Sequence, residues 1–299
     1  MESWIFLVLV SQIIWAFCSI IDKFIISKGH IRNPMVYIVL NGAMNVLLVF
    51  LLPFIHLSRI SAVTFFIALL SSATVAAAII IYYKAVQYDE ISKVVMLYLL
   101  APIAVLVLSY LFLEEVLTKN HFIGFLFLLG AGIIVSYKKV ENAFKLSKAF
   151  YYMLISAFFS AIALVSGKHI FNVTSFWNAF LWLRLTAVSA VVVLIAPSIR
   201  NQFAQTFREM KNNIKGLLTL KIIIDFSAFI FSGYAIFNGP ISLVTVLASS
   251  VAPLFVFIVA LFTTIYFPKL VKEEINKKAI LTKLLAIALI IIGIVFINL

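Results

Sequence analysis

Acidic residues are scarce in this chain. It holds 11 Asp and Glu against 23 Lys and Arg in 299 residues, and charged residues of both signs make up only 11%. A soluble domain carries about 25%, so water is not the main solvent here. Cysteine is nearly absent. Cys18 is the only one, which excludes an intrachain disulfide. Histidine is sparse too: His30, His56, His121 and His169 stand far apart without metal-ligand spacing, so no metal site is expected. A Gly-rich phosphate loop, a nucleophile elbow and a paired-carboxylate site are all missing. No catalytic residue and no cofactor are therefore expected. The longest polar stretches, 138–148 and 200–215, are too short for a soluble domain. The N-terminus has no basic n-region and no small-residue cleavage site, and it reads as a membrane span rather than a signal peptide.

What the chain has is apolar residues, 65% of the total, with a mean hydropathy of +1.18. A span needs about 20 such residues to cross a core of about 30 Å. Ten stretches qualify: 4–24, 35–55, 62–84, 92–112, 120–137, 150–169, 176–196, 216–237, 241–267 and 279–298. The formal net charge of +12 sits in the short loops between them. Anionic headgroups and membrane topology explain such charges better than nucleic acid does. The loops after spans one, five, seven and nine share one side and carry most of the Lys and Arg; the other side has little beyond Arg59 and Lys119. The positive-inside rule then puts both termini outside.

The sequence also repeats itself. Residues 85–112 and 235–262 each place a polar turn before Ile-Ser (Ile91-Ser92, Ile241-Ser242) and Ala-Pro about ten residues later (Ala101-Pro102, Ala252-Pro253). The offset is 150 residues at Ile-Ser and 151 at Ala-Pro. Residues 15–25 and 160–170 match in the same way, with Lys23 and Lys168 near their ends, and Pro53 and Pro197 close spans two and seven. The expected fold is an all-α polytopic membrane protein. Its ten transmembrane helices form two five-helix repeats, 1–140 and 141–299. Five is odd, so the second repeat enters the membrane from the opposite side, an inverted topology characteristic of secondary transporters.

Residues 111–135, LFLEEVLTKNHFIGFLFLLGAGIIV, resemble the fourth-to-fifth helix junction of the drug/metabolite transporter superfamily, in its EamA-type ten-helix branch. Glu115, Leu117, Thr118, Gly124 and Gly132 carry the likeness. Trp15-Ala16 through Lys23 resembles the family's first helix and Ala101-Pro102 its fourth. Leu113-Glu114 departs from the family's Gly-Glu, and the second-half junction is about ten residues longer and lacks the motif. The resemblance implies a small-metabolite carrier in the plasma or inner membrane, often an exporter of amino acids or related compounds. It also implies cytoplasmic termini, against the charge rule.

Charges inside spans are the candidate functional groups, because each is disfavoured by about 2.5–3.5 kcal/mol at a helix centre. Arg184 lies in the seventh span; Lys221 and Asp225 lie four apart on one face of the eighth. Two readings stand side by side. In one they neutralise each other so that the helices insert. In the other they line a wet cavity, where a surplus positive charge suits a carboxylate or phosphate and Asp225 receives an amine or a coupling proton. Asn41, Trp15, Tyr98 and Ser249 are expected around them. Pro102 and Pro253 remove the donors for the carbonyls of Tyr98 and Ser249 and kink equivalent helices. Lys23, Lys84, Lys93 and Lys168 sit near helix ends and are expected to snorkel to the interface; Glu114 and Glu115 read as solvated boundary residues. The expected function is alternating-access transport of a small polar metabolite, an amino acid or related carboxylate. A membrane-embedded enzyme acting on lipid-linked substrates, or a non-transporting scaffold or sensor, is the alternative. The expected partners are the small-molecule substrate and the bilayer.

Overall fold

The computed structural model describes residues 2–27, 39, 57–88, 97, 99–136, 148–187, 197–266 and 277–299. The expected second span, 35–55, lies outside them apart from Val39, as does the 138–147 loop. The described residues form ten helices: α1 (Ser3–Ser27), α2 (Ala62–Tyr88), α3 (Leu100–Leu113), α4 (Lys119–Ser136), α5 (Lys148–Val173), α6 (Phe176–Ala187), α7 (Pro197–Glu209), α8 (Asn212–Asn238), α9 (Ile241–Tyr266) and α10 (Lys277–Asn298). Helices are the forced solution. In lipid each backbone N–H and C=O must find its partner within the segment, and no strand occurs among the described residues. Parts of α1, α2, α5, α9 and α10 are long and apolar enough to cross a bilayer; α3 and α4 are apolar but shorter.

One expectation fails. The sequence predicts a connection over 200–215 and a span closed by Pro197, but Pro197 opens a helix, α7, that runs to Glu209. Proline suits a first helical position, where its missing N–H is one that no carbonyl would accept. Phe203 and Phe207 stack on this helix, with ring centroids 6.2 Å apart.

Side-chain contacts fix the relative direction of the helices. α1 runs antiparallel to α8: Trp4 abuts Gly239 at one end, and Ile25 packs with Met210, Ile214 and Leu218 at the other. α2 runs antiparallel to α5, where Ser71 Oγ donates to the Ala163 carbonyl and Ser156 Oγ to that of Ala78. α1 lies alongside α9, and α5 alongside α3, both in parallel. These contacts come in matched pairs. Exchanging the halves turns α1 against α8 and α9 into α5 against α2 and α3. α4 against α10 maps onto itself.

The α4–α10 seam shows how closely the backbones approach. A Cβ at Gly124 would stand 2.7 Å from Ile297 Cγ1 and 2.8 Å from the Gly293 carbonyl oxygen. The backbone oxygen cannot swing aside as a side chain can. Gly124→Val is therefore expected to lower stability by about 1–3 kcal/mol, read as a fall in unfolding midpoint in detergent. Gly130→Val is the control, because nothing stands within 4 Å of a Cβ there.

Candidate functional site

Helical spacing brings Trp15, Cys18 and Asp22 to one face of α1, and Lys221, Asp225 and Phe229 to one face of α8. The two faces meet. Lys221 Nζ lies 2.5 Å from Asp225 Oδ2 and 3.4 Å from Asp22 Oδ1. Lys221 and Asp225 are buried, at 3% and 7% exposure, so this contact is shielded from solvent. Cys18 Sγ sits 4.0 Å from the Lys221 carbonyl oxygen, packed into the same contact.

One turn along α8 the surface becomes aromatic. Phe229 meets Trp15 edge to face, with centroids 5.1 Å apart. Arg184, from α6, lays its guanidinium over two rings, 4.0 Å from the Phe229 centroid and 5.4 Å from that of Phe180. Such cation–π contacts hold a cation by the ring quadrupole without neutralising it. Among the described residues no carboxylate lies within ion-pair distance of Arg184.

The expected residues thus separate into two groups. Trp15, Arg184, Lys221 and Asp225 are linked through Phe229 and the α1–α8 face. Asp225 is paired to Lys221 rather than to Arg184. Asp22 was not anticipated. It stands beside Lys23 at the end of an apolar run and reads as a boundary charge, although its position seven residues after Trp15 puts it on Trp15's face. Its carboxylate changes the charge count: the four groups carry two positive and two negative charges, so the surplus positive charge inferred from three of them is cancelled. Ser249 is half-buried and donates to the Thr245 carbonyl, 2.9 Å away. Pro253 lies inside α9. Pro102 lies in the first turn of α3, which starts just after a turn at Leu99. Asn41 and Tyr98 lie outside the described residues.

A second polar constellation holds the turn between α8 and α9. Lys168 Nζ donates to the carbonyls of Ile236, Phe237 and Gly239 at 2.7, 3.1 and 3.0 Å. Glu115 accepts the backbone N–H groups of Ile241 and Ser242 and the Ser242 hydroxyl, at 3.2, 3.3 and 2.6 Å. A cation therefore meets the carbonyl end of α8 and an anion meets the amide end of α9, the sense the helix dipoles favour. Two expectations are corrected here: Lys168 does not snorkel, and Glu115 is not a solvated boundary residue, because unpaired backbone groups at this turn recruit both. The neighbouring Thr118 hydroxyl accepts the His121 N–H at 3.2 Å and caps α4.

Two stability outcomes follow. Lys221→Met leaves two carboxylates facing each other and should cost about 3–5 kcal/mol. The triple change Lys221→Met, Asp22→Asn and Asp225→Asn should recover most of that loss in thermal unfolding. Glu115→Gln and Lys168→Met should each cost about 1–2 kcal/mol, and should combine less than additively, because both act on one turn.

No curated protein matches this chain in sequence. A crystal structure aligns with 99% of this chain and 95% of its own, at a TM-score of 0.69 and 14% identity, a likeness of fold. Residues 2–137 match the model of the EamA-like transporter family. That segment contains Trp15 and Asp22 on α1 together with the Glu115 and Thr118 caps and the Gly124 seam. The match covers a little under half of the chain, a multi-pass membrane protein by its apolar helices, whose first half is similar to that family.

Proposed function

We propose that the chain is a ten-span secondary carrier built from two inverted repeats, which moves a small amino acid or related carboxylate by alternating access across the plasma or inner membrane. The matched contacts of α1 with α8 and α9, and of α5 with α2 and α3, support the repeat. So do individual residues. The offset of 145 that relates Lys23 to Lys168 relates Asp22 to Gly167, and the offset of 150 at Ile-Ser relates Lys221 to Ser71. Lys221 pairs with Asp22, and a Cβ placed on Gly167 would stand 3.8 Å from Ser71 Oγ, so both pairs are neighbours.

One observation carries the substrate reading: Arg184 is held on aromatic faces without a carboxylate partner among the described residues. Its planar fork suits a substrate carboxylate by paired hydrogen bonds. Asp225, one turn from Phe229 and tied to Lys221, receives the substrate amine or a coupling proton. Because the four charges cancel, a zwitterion matches the site better than a dianion.

A thermal-shift screen of amino acids and other small carboxylates on the purified protein, followed by flux of the hits in sealed proteoliposomes, tests this. Arg184→Lys should reduce kcat/KM about ten- to hundredfold, nearly as much as Arg184→Ala, since an ammonium lacks the fork. Asp225→Asn should alter pH dependence or amine selectivity in protein that still folds. Saturable flux unaffected by Arg184→Lys would overturn the assignment, and absence of flux for every hit would favour a scaffold or sensor.

A further inference from the structure

α7 is the most polar of the described helices, and its placement gives it a use. It carries Arg200, Phe203, Phe207 and Arg208, and Lys211 and Lys215 follow where α8 begins. Arg200, Arg208 and Lys211 are exposed; Phe207 is 45% exposed, although it is a large apolar ring. Lys215 Nζ stands 4.9 Å from the Phe207 centroid, so cation and ring share one surface. The acidic residue of this helix, Glu209, is engaged by Gln205 at 2.8 Å.

The depth of α7 can be read from its contacts. Phe203 and Met210 pack in a cluster with Ile25 of α1. The apolar span of α1 ends at Asp22, and three more residues rise about 4.5 Å. α7 therefore lies against the end of the bundle at headgroup depth. A short helix there, with cations outward and a ring exposed among them, has the composition of an interfacial anchor.

We propose that α7 and the start of α8 form a binding surface for anionic phospholipid headgroups of the surrounding bilayer. Arg200, Arg208, Lys211 and Lys215 engage the phosphates, and Phe207 enters the acyl boundary. Met210 and Lys211 alone separate α7 from α8, so anchoring α7 sets the depth of the helix that carries Lys221 and Asp225. This surface is independent of the substrate reading.

The test uses the full chain in nanodiscs of phosphatidylcholine with or without phosphatidylglycerol. Phosphatidylglycerol should raise the unfolding midpoint of the unchanged protein and remain bound in native mass spectrometry. Each cation near an anionic surface is worth about fivefold in affinity, so Arg200→Gln with Arg208→Gln should weaken lipid retention by about 25-fold and shrink the shift. Lys211→Gln with Lys215→Gln should do the same, and a pair that folds suffices if the fourfold variant does not. Arg59→Gln with Lys119→Gln, at the opposite end of the bundle, should keep the full shift. Equal phosphatidylglycerol shifts in unchanged and pair-neutralised protein would overturn the proposal. So would a full shift produced by inorganic phosphate in phosphatidylcholine discs, which would indicate a soluble-anion site.

Discussion

An ionised side chain within an apolar bundle has no water to turn to, and the partner it finds ties together the helices that carry both. Lys221 joins α1 to α8 by taking Asp22 and Asp225 at once. Lys168 and Glu115 reach from α5 and from the α3–α4 connection to hold the turn between α8 and α9. Hydroxyls obey the same constraint more cheaply. Ser71 and Ser156 donate across a helix seam, whereas Ser72 and Thr74 donate back to carbonyls of their own helix. Van der Waals packing between small residues then fills the remaining seams, as at Gly124.

Much of this was legible in the sequence, and the reasons differ by element. The apolar stretches of α1, α2, α5, α9 and α10 were legible because lipid imposes a length and a composition on any helix that crosses it. The importance of Glu115, Thr118 and Gly124 came with a family resemblance; their work, capping α9, capping α4 and admitting α10, appears only in three dimensions. α7 was missed because its apolar residues, Phe203 and Phe207, are too few to stand out from a polar stretch. Asp22 was missed for a related reason: beside Lys23 at the end of a span, a charge reads as solvated, and only the neighbouring helix reveals that it reaches inward. Lys168 has the same history. End position predicts snorkelling, but the carbonyls of Ile236, Phe237 and Gly239 take its ammonium instead.

Under the proposed repeat, the two halves share a scaffold but not a chemistry. Where the contact of α1 with α8 holds Asp22 and Lys221, the related contact of α5 with α2 holds Gly167 and Ser71. Charge is concentrated on one side of the proposed two-fold, next to Trp15, Phe229 and Arg184. In an alternating-access carrier that asymmetry gives the substrate one orientation in a near-symmetric frame, while the uncharged contact slides at lower energetic cost.

The central claim is that the surface joining Trp15 to Arg184 faces each side of the membrane in turn. Substituted-cysteine accessibility tests it most directly. Cys18→Ala removes the native thiol, and Trp15→Cys places a probe beside Phe229. The account predicts that a membrane-impermeant thiol reagent labels this cysteine from either side of sealed, oriented vesicles, and that a transported substrate changes the ratio of the two rates. Labelling from one side only, or from neither, with the ratio unmoved by substrate, would contradict it.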